Sequence, residues 1–411
     1  MSELVKIAFR NLFRNLKRSL LTIFISMLAV ACLVFGNSFL GGMFDNILSE
    51  SIKFSGHIRL ASLDYDIKER LMSLTGNVPE YEALKASLLN HPQIRQKVET
   101  ITGRLKFGAV IFKGEDISKE GLGYGIEAPD VTVLDFKNIT YQGRIIDFKA
   151  KDEIMIGRQL ADSLSLNLGD EVTILARTVY NSPYALNFRV VGFFDMQNSQ
   201  LNKTFYISLS KAQYLLDMEG RVSEVLIFGK TIDNTDKIMK DLKSLKETKD
   251  YQLKTWGELG MGPVFRVIVM IVSLVIRGIF LVLAGLGIAN TMLMAIMERR
   301  SEIGLLKSMG MREEEIVALF TFEGVFLGLL GTILGLVVGG SCAHYIATEG
   351  IKIGSSLEGI PFTIRNVIYG QFNVTIFITA GLLGLGAAFL SSLLPSKNGA
   401  KLNPTEALRK E

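Results

Sequence analysis

The chain has 411 residues, 48% of them hydrophobic and 21% charged, and its mean hydropathy is +0.31. The apolar share is high for a soluble protein and the charged share high for one wholly in lipid, which excludes both classes and requires the two kinds of residue to be segregated. The formal net charge of +4 is small, and the Lys and Arg residues form no basic face interleaved with aromatics, so a nucleic-acid partner is not expected.

In chain order, a basic amphipathic head comes first, with Lys6, Arg10, Arg14, Lys17 and Arg18, and with Leu4, Ile7, Ala8, Leu12 and Leu16 at helical spacing. Such a helix lies on a membrane surface, with a partner-binding role as the alternative. The apolar run 20–44 follows. It exceeds the 7 to 15 residues of a signal core and has no small-residue cleavage site after it, so it reads as an uncleaved first span. Residues 1–44 therefore make one region.

Residues 45–262 carry most of the charge and are long enough to bury a core of their own. Strands are predicted over 171–176, 188–194, 203–208 and 222–228, each bounded by Gly, Asp, Asn or Ser. Helices are predicted over 79–89, 158–164, 210–218 and 235–246. The glycines of 121–125 read as a loop. Two subdomains are expected, one from both ends of the segment and one inserted between them, a division that rests partly on the resemblance given below.

The second apolar run, 263–297, is too long for one straight crossing of about 30 Å and is divided by Arg277. Residues 278–297 suffice to span, which leaves Arg277 snorkelling at the outer surface, with a buried functional arginine as the alternative. The part before it would continue outward as a helical stalk. Next comes the charged segment 298–316, ERRSEIGLLKSMGMREEEI. A connection this short has no lipid-buried surface, so Ile303, Leu305, Leu306 and Met309 need a protein partner. Gly310 can end a helix in a left-handed cap, and Glu313, Glu314 and Glu315 then suit the positive end of the next.

The third run, 317–346, places Gly324, Gly328, Gly331, Gly335 and Gly339 at spacings of three or four, a face on which two helix backbones approach closely. Its partner is another helix of this chain or of a second chain. Glu323 is either snorkelling or paired inside the bundle. The fourth run, 374–394, carries Gly381, Gly384, Gly386, Ala387 and Ala388, a second close-packing face, and is expected to stop at Pro395. Region 263–411 thus holds three spans. Cys32 and Cys342 both fall in apolar runs, which removes any disulfide framework from the polar middle and leaves the redox compartment undecided.

Orientation follows from Lys and Arg in short segments. The head has five, the corner has Arg299, Arg300, Lys307 and Arg312, and the tail has Lys397, Lys401, Arg409 and Lys410, whereas 347–372 has Lys352 and Arg365. With four spans the three basic segments share one side, the cytoplasmic one, so both termini are expected there and the large domain outside. The fold class is an α-helical membrane protein with four transmembrane helices plus a mixed α+β extracytoplasmic domain between helices 1 and 2.

Catalytic constellations are missing from the sequence. His57, His91 and His344 are far apart and in no metal-ligand spacing, and neither G-x-S-x-G nor G-x-x-x-x-G-K-[ST] occurs. No enzyme activity, cofactor or metal is expected, and the chain is not expected to hydrolyse nucleotide by itself.

Four segments together resemble the permease subunits of ABC transporters of the MacB/FtsX/LolC type, also called type VII. They are 8–15 (AFRNLFRN), 298–310 (ERRSEIGLLKSMG), Glu323 followed by glycines, and 403–409 (NPTEALR). The resemblance covers nearly the whole chain and implies a cytoplasmic-membrane protein that pairs with a second permease, identical or paralogous, and with two copies of a separate ATPase subunit. It would place the corner in a groove of that ATPase. Glu298, Arg299, Arg300, Glu302 and Lys307 would make polar contacts there, with Ile303, Leu305 and Leu306 filling the groove, and Gly304 and Gly310 complete the set of residues expected to couple the chain to the ATPase. It also implies mechanotransmission, in which ATP-driven closure moves the outer domain. The size of that domain and the strand Gly56-His-Ile-Arg-Leu resemble the lipoprotein-releasing LolC/LolE branch, which implies a lipoprotein cargo, contact with membrane lipid and an extracytoplasmic chaperone. The alternatives are an FtsX-like regulator of extracytoplasmic proteins and an exporter of peptide, lipid or drug.

Overall fold

A computed structural model describes residues 2–401 apart from 71, 116, 150–151, 197–200, 260–261 and 353–366. The NPTEALR tail and Arg365 lie outside the described residues. The chain divides into two compact units, drawn from 1–46, 267–353 and 367–401 on one hand and from 47–266 on the other.

An N-terminal helix, Ser2–Asn11, precedes four long ones, Leu16–Ser55, Gly262–Glu298, Glu313–Thr348 and Val374–Ala400, which belong to the first unit except for residues 47–55 and 262–266. All four are long and apolar enough to cross a membrane. The first outruns the predicted span at both ends, because hydropathy marks where hydrocarbon stops and not where helical hydrogen bonding stops. Gly56, at φ +68°, ends it. The fourth also overruns its prediction: it continues through Pro395 to Ala400. A proline removes one backbone donor, and neighbouring helices tolerate that where they pack the turn. Here Gly399 abuts Ile296, and Pro395, Ser396 and Ala400 are buried.

The glycine face of the third long helix packs within this chain. A methyl group on Gly335 would fall 2.7 Å from the Met27 carbonyl oxygen and from Val30 Cβ, and one on Gly339 would fall 2.8 Å from Ala31 Cα. Gly331 likewise meets Ser26 and the Ile23 carbonyl of the first long helix. Gly324 and Gly328 face Ser392 and Ala388 of the fourth. One stripe thus serves two neighbours.

Among the described residues the second unit has ten strands: β1 Ile58–Ser62, β2 Val98–Lys113, β3 Ile117–Ile126, β4 Thr140–Gly143, β5 Glu153–Gly157, β6 Glu171–Arg177, β7 Pro183–Phe194, β8 Thr204–Ser208, β9 Glu224–Gly229 and β10 Tyr251–Thr255. Their order is β10-β1-β9-β2-β3-β8-β5-β7-β4, with β6 bridging β2 and β7. The pairings β2-β3-β8-β5-β7-β6-β2 therefore close a ring. The sixteen-residue β2 pairs β9 along its first half and β3 and β6 along its second. A single hydrophobic cluster takes in Ile58, Leu60 and Ile227 from one strand group and Ile111, Ile174 and Phe188 from the other.

Residues 121–125, expected as a loop, are strand: they lie in β3, between β2 and β8. Glycine in a strand also marks close approach. A methyl on Gly123 would fall 2.7 Å from the Phe107 ring, and Gly125 is pressed against Ala212. The predicted helices appear as Tyr81–Asn90, Arg158–Ser163, Leu209–Leu216 and Thr235–Ser244.

Candidate functional site

The corner between the second and third long helices is built from one break and one cap. The second long helix ends at Glu298; Arg299 (φ −103°, ψ 19°) interrupts it, and a short helix runs from Arg300 to Ser308. Beyond it the Met311 N–H donates to the Leu306 carbonyl at 3.1 Å and the Gly310 N–H to the Lys307 carbonyl at 3.0 Å, with Gly310 at φ +94°. This is a Schellman cap, which needs a residue free to adopt positive φ. The third long helix then starts after Arg312, whose N–H donates to the Glu315 carboxylate at 2.9 Å. Glu313, Glu314 and Glu315 occupy its first turn, where the helix dipole favours them.

Glu298, Arg299, Glu302 and Lys307 are engaged within the chain. Arg18 holds Glu298 and Arg14 holds Glu302, each through both guanidinium terminal nitrogens. Arg299 turns inward and donates to Glu323 at 3.1 Å, and Asn11 Nδ2 donates to the same carboxylate oxygen at 3.3 Å. Lys307 donates to Glu313 at 3.0 Å and to the Ala400 carbonyl at 2.7 Å. The hydrogen-bonded Arg14 guanidinium holds the Glu302 carboxyl below the usual carboxylate range, and Glu302 in turn raises Arg14. Of the two readings for Glu323, pairing inside the bundle is the one observed.

The apolar residues divide. Ile303, expected to fill a partner's groove, is instead 1% exposed and packs with Ile296, Ile316, Phe320 and Ala400. Three residues on from Arg300 at helical pitch, it is carried to the inner side of the short helix, and Gly304 is buried beside it. Leu306 is half-buried, while Leu305 and Met309, one turn apart, are 54% and 71% exposed. Arg300 is exposed with them.

Arg277 is exposed and donates through Nε to Asn37 Oδ1 at 3.0 Å. Two histidines serve packing, His57 Nδ1 accepting from the Gly229 N–H at 3.2 Å and His344 lying T-shaped to Phe372, while His91 Nε2 stands 3.8 Å from the Glu247 carboxylate. Sequence reasoning missed the role of Asn11, Arg14 and Arg18. The available signal was the shared four-residue spacing of Arg14 with Arg18 and of Glu298 with Glu302.

A family model described as the MacB-like periplasmic core domain matches residues 19–245, more than half of the chain, and one described as the FtsX-like permease C-terminal domain matches 274–404. An uncharacterized ABC transporter permease of Methanocaldococcus jannaschii is 27% identical over 100% of this chain and 98% of its own length. The lipoprotein-releasing system transmembrane protein LolC of Xylella fastidiosa is 23% identical over 63% of this chain and 65% of its own. The solved periplasmic region of MacB from Actinobacillus actinomycetemcomitans covers 54% of this chain and 97% of its own, at 16% identity and a TM-score of 0.37.

Proposed function

From its place among the ABC transporter permeases of the MacB/FtsX/LolC type, to which this chain belongs, we propose that it works by mechanotransmission. It is a multi-pass protein of the cell membrane, and family members work with ABC ATPase subunits. On our reading the ATPase is a separate chain present in two copies, the permease pairs with a second copy or a paralogue, and both termini lie in the cytoplasm. The ATPase docks on the corner, and the long helices carry its closure to the outer domain.

One observation carries this reading. Leu305 and Met309 project from a helix of nine residues whose Glu302 and Lys307 are held by the rest of the chain. An apolar pair on a braced corner is a surface a protein partner can push. Regions 1–44, 45–262 and 263–411 then act as anchor, effector and motor-facing parts.

For cargo we propose a lipoprotein released from the membrane's outer leaflet, supported by the likeness to LolC. The test is release of acylated lipoproteins from spheroplasts with the chain present and depleted. Retention on depletion, restored by the wild-type chain but not by Leu305→Glu/Met309→Glu, is expected. Normal release on depletion would overturn the cargo assignment and favour an FtsX-like regulator, or an exporter of another molecule.

A further inference from the structure

Three charged pairs converge on Arg299, the one non-helical residue between the second long helix and the corner helix. Arg18 meets Glu298 before the break and Arg14 meets Glu302 beyond it. Both arginines and both glutamates are four residues apart, so the contacts form two bidentate rungs that straddle the break. Beneath them lies the third pair, Arg299 with Glu323, whose side chains are 11% and 5% exposed, joined by Asn11. The head of the chain is itself fixed: Ala8 and Leu12 are buried, and the Phe9 ring sets its edge on Phe326 at 5.8 Å.

A joint of one residue bends freely unless something spans it. We propose that residues 11–18 are a brace that fixes the angle at which the corner helix leaves the second long helix, so that a push on the corner turns the long helix instead of folding the joint. The proposal rests on the corner being the docking surface. It assigns Glu298 and Glu302 to this intrachain joint and leaves Arg300, Leu305 and Met309 facing outward for the ATPase. The Arg14–Glu302 rung is at the surface, with side chains 56% and 47% exposed, and in the other rung Glu298 is 50% exposed while Arg18 is 19% exposed. Screening by salt therefore weakens them, while the buried pair below is affected less.

The test uses the full-length chain in lipid nanodiscs, with Cys32 and Cys342 replaced by serine and spin labels on Leu286→Cys of the second long helix and Met309→Cys at the end of the corner helix, both exposed positions. The inter-label distance distribution is read by pulsed electron paramagnetic resonance. Arg14→Glu/Arg18→Glu and Glu298→Arg/Glu302→Arg should each broaden it about twofold, as a second orientation becomes populated. The fourfold exchange should restore the narrow distribution. If charge reversal in an inserted chain leaves it unchanged, or if the exchange fails to restore it, the brace is wrong. Should the reversed chains fail to insert, the neutral pair Arg14→Gln/Arg18→Gln and a rise in salt on the wild type give the same readout. No ATPase is present in the measurement, so failure here leaves the docking proposal standing, and loss of ATPase binding leaves the brace standing.

Discussion

His57 sits just past the end of the first long helix with its ring buried and Nδ1 accepting from Gly229, a bond that protonation would break. Burial lowers its pKa from the 6.5 of a free imidazole. Below pH 6.5 the unfolded chain therefore binds more protons than the folded one, and stability falls as pH falls. The contribution is complete above that value and lost as pH drops through the folded pKa. Denaturant unfolding of the full chain in detergent should show this slope, and His57→Gln should flatten it; equal slopes for the two chains would contradict the assignment. The Arg299–Glu323 pair makes a second prediction. Glu323→Leu leaves a buried guanidinium unpaired and should cost about 3 kcal/mol, whereas a change at exposed Arg300 should cost little. Thermal unfolding in detergent measures both. At this scale the sequence disclosed which residues are charged but not whom they meet: Glu323 is 312 residues from Asn11, and no local spacing reports such a contact.

Among the elements, the glycine stripe permits the sharpest comparison. Gly328 abuts Ala388, while Gly386 has no neighbour within 4 Å of where a Cβ would stand. Gly328→Leu should force the third and fourth long helices apart at a cost of about 1–3 kcal/mol. Gly386→Leu should be nearly neutral, and equal losses of thermal stability in the two variants would refute the packing described. Long helices and half-buried strands were legible because a sustained apolar run or an alternation is a local signal. The strand at 117–126 was not, because its glycines look like breakers until Phe107 and Ala212 are brought against them. The closed ring of β-strands was also hidden, since β2–β6 and β3–β8 pairing joins distant segments. Ile303 was misplaced for a related reason: apolar side chains on a short charged helix suit either a partner or the helix's own bundle, and only the rotation at Arg299 decides between them.

For the whole molecule, composition alone required separate membrane and aqueous parts, and four apolar helices with a mixed α/β domain between the first and second are what the chain contains. The central claim, that the corner is driven by an ATPase on a separate chain, is tested most directly by affinity capture. The tagged full-length chain is purified from native membranes in mild detergent after cross-linking, and everything retained is identified by mass spectrometry. The account predicts an ABC ATPase subunit, retained by the wild type and lost from Leu305→Glu/Met309→Glu while that variant still inserts. Absence of any ATPase from the cross-linked wild type, or its undiminished retention by the double variant, would contradict it.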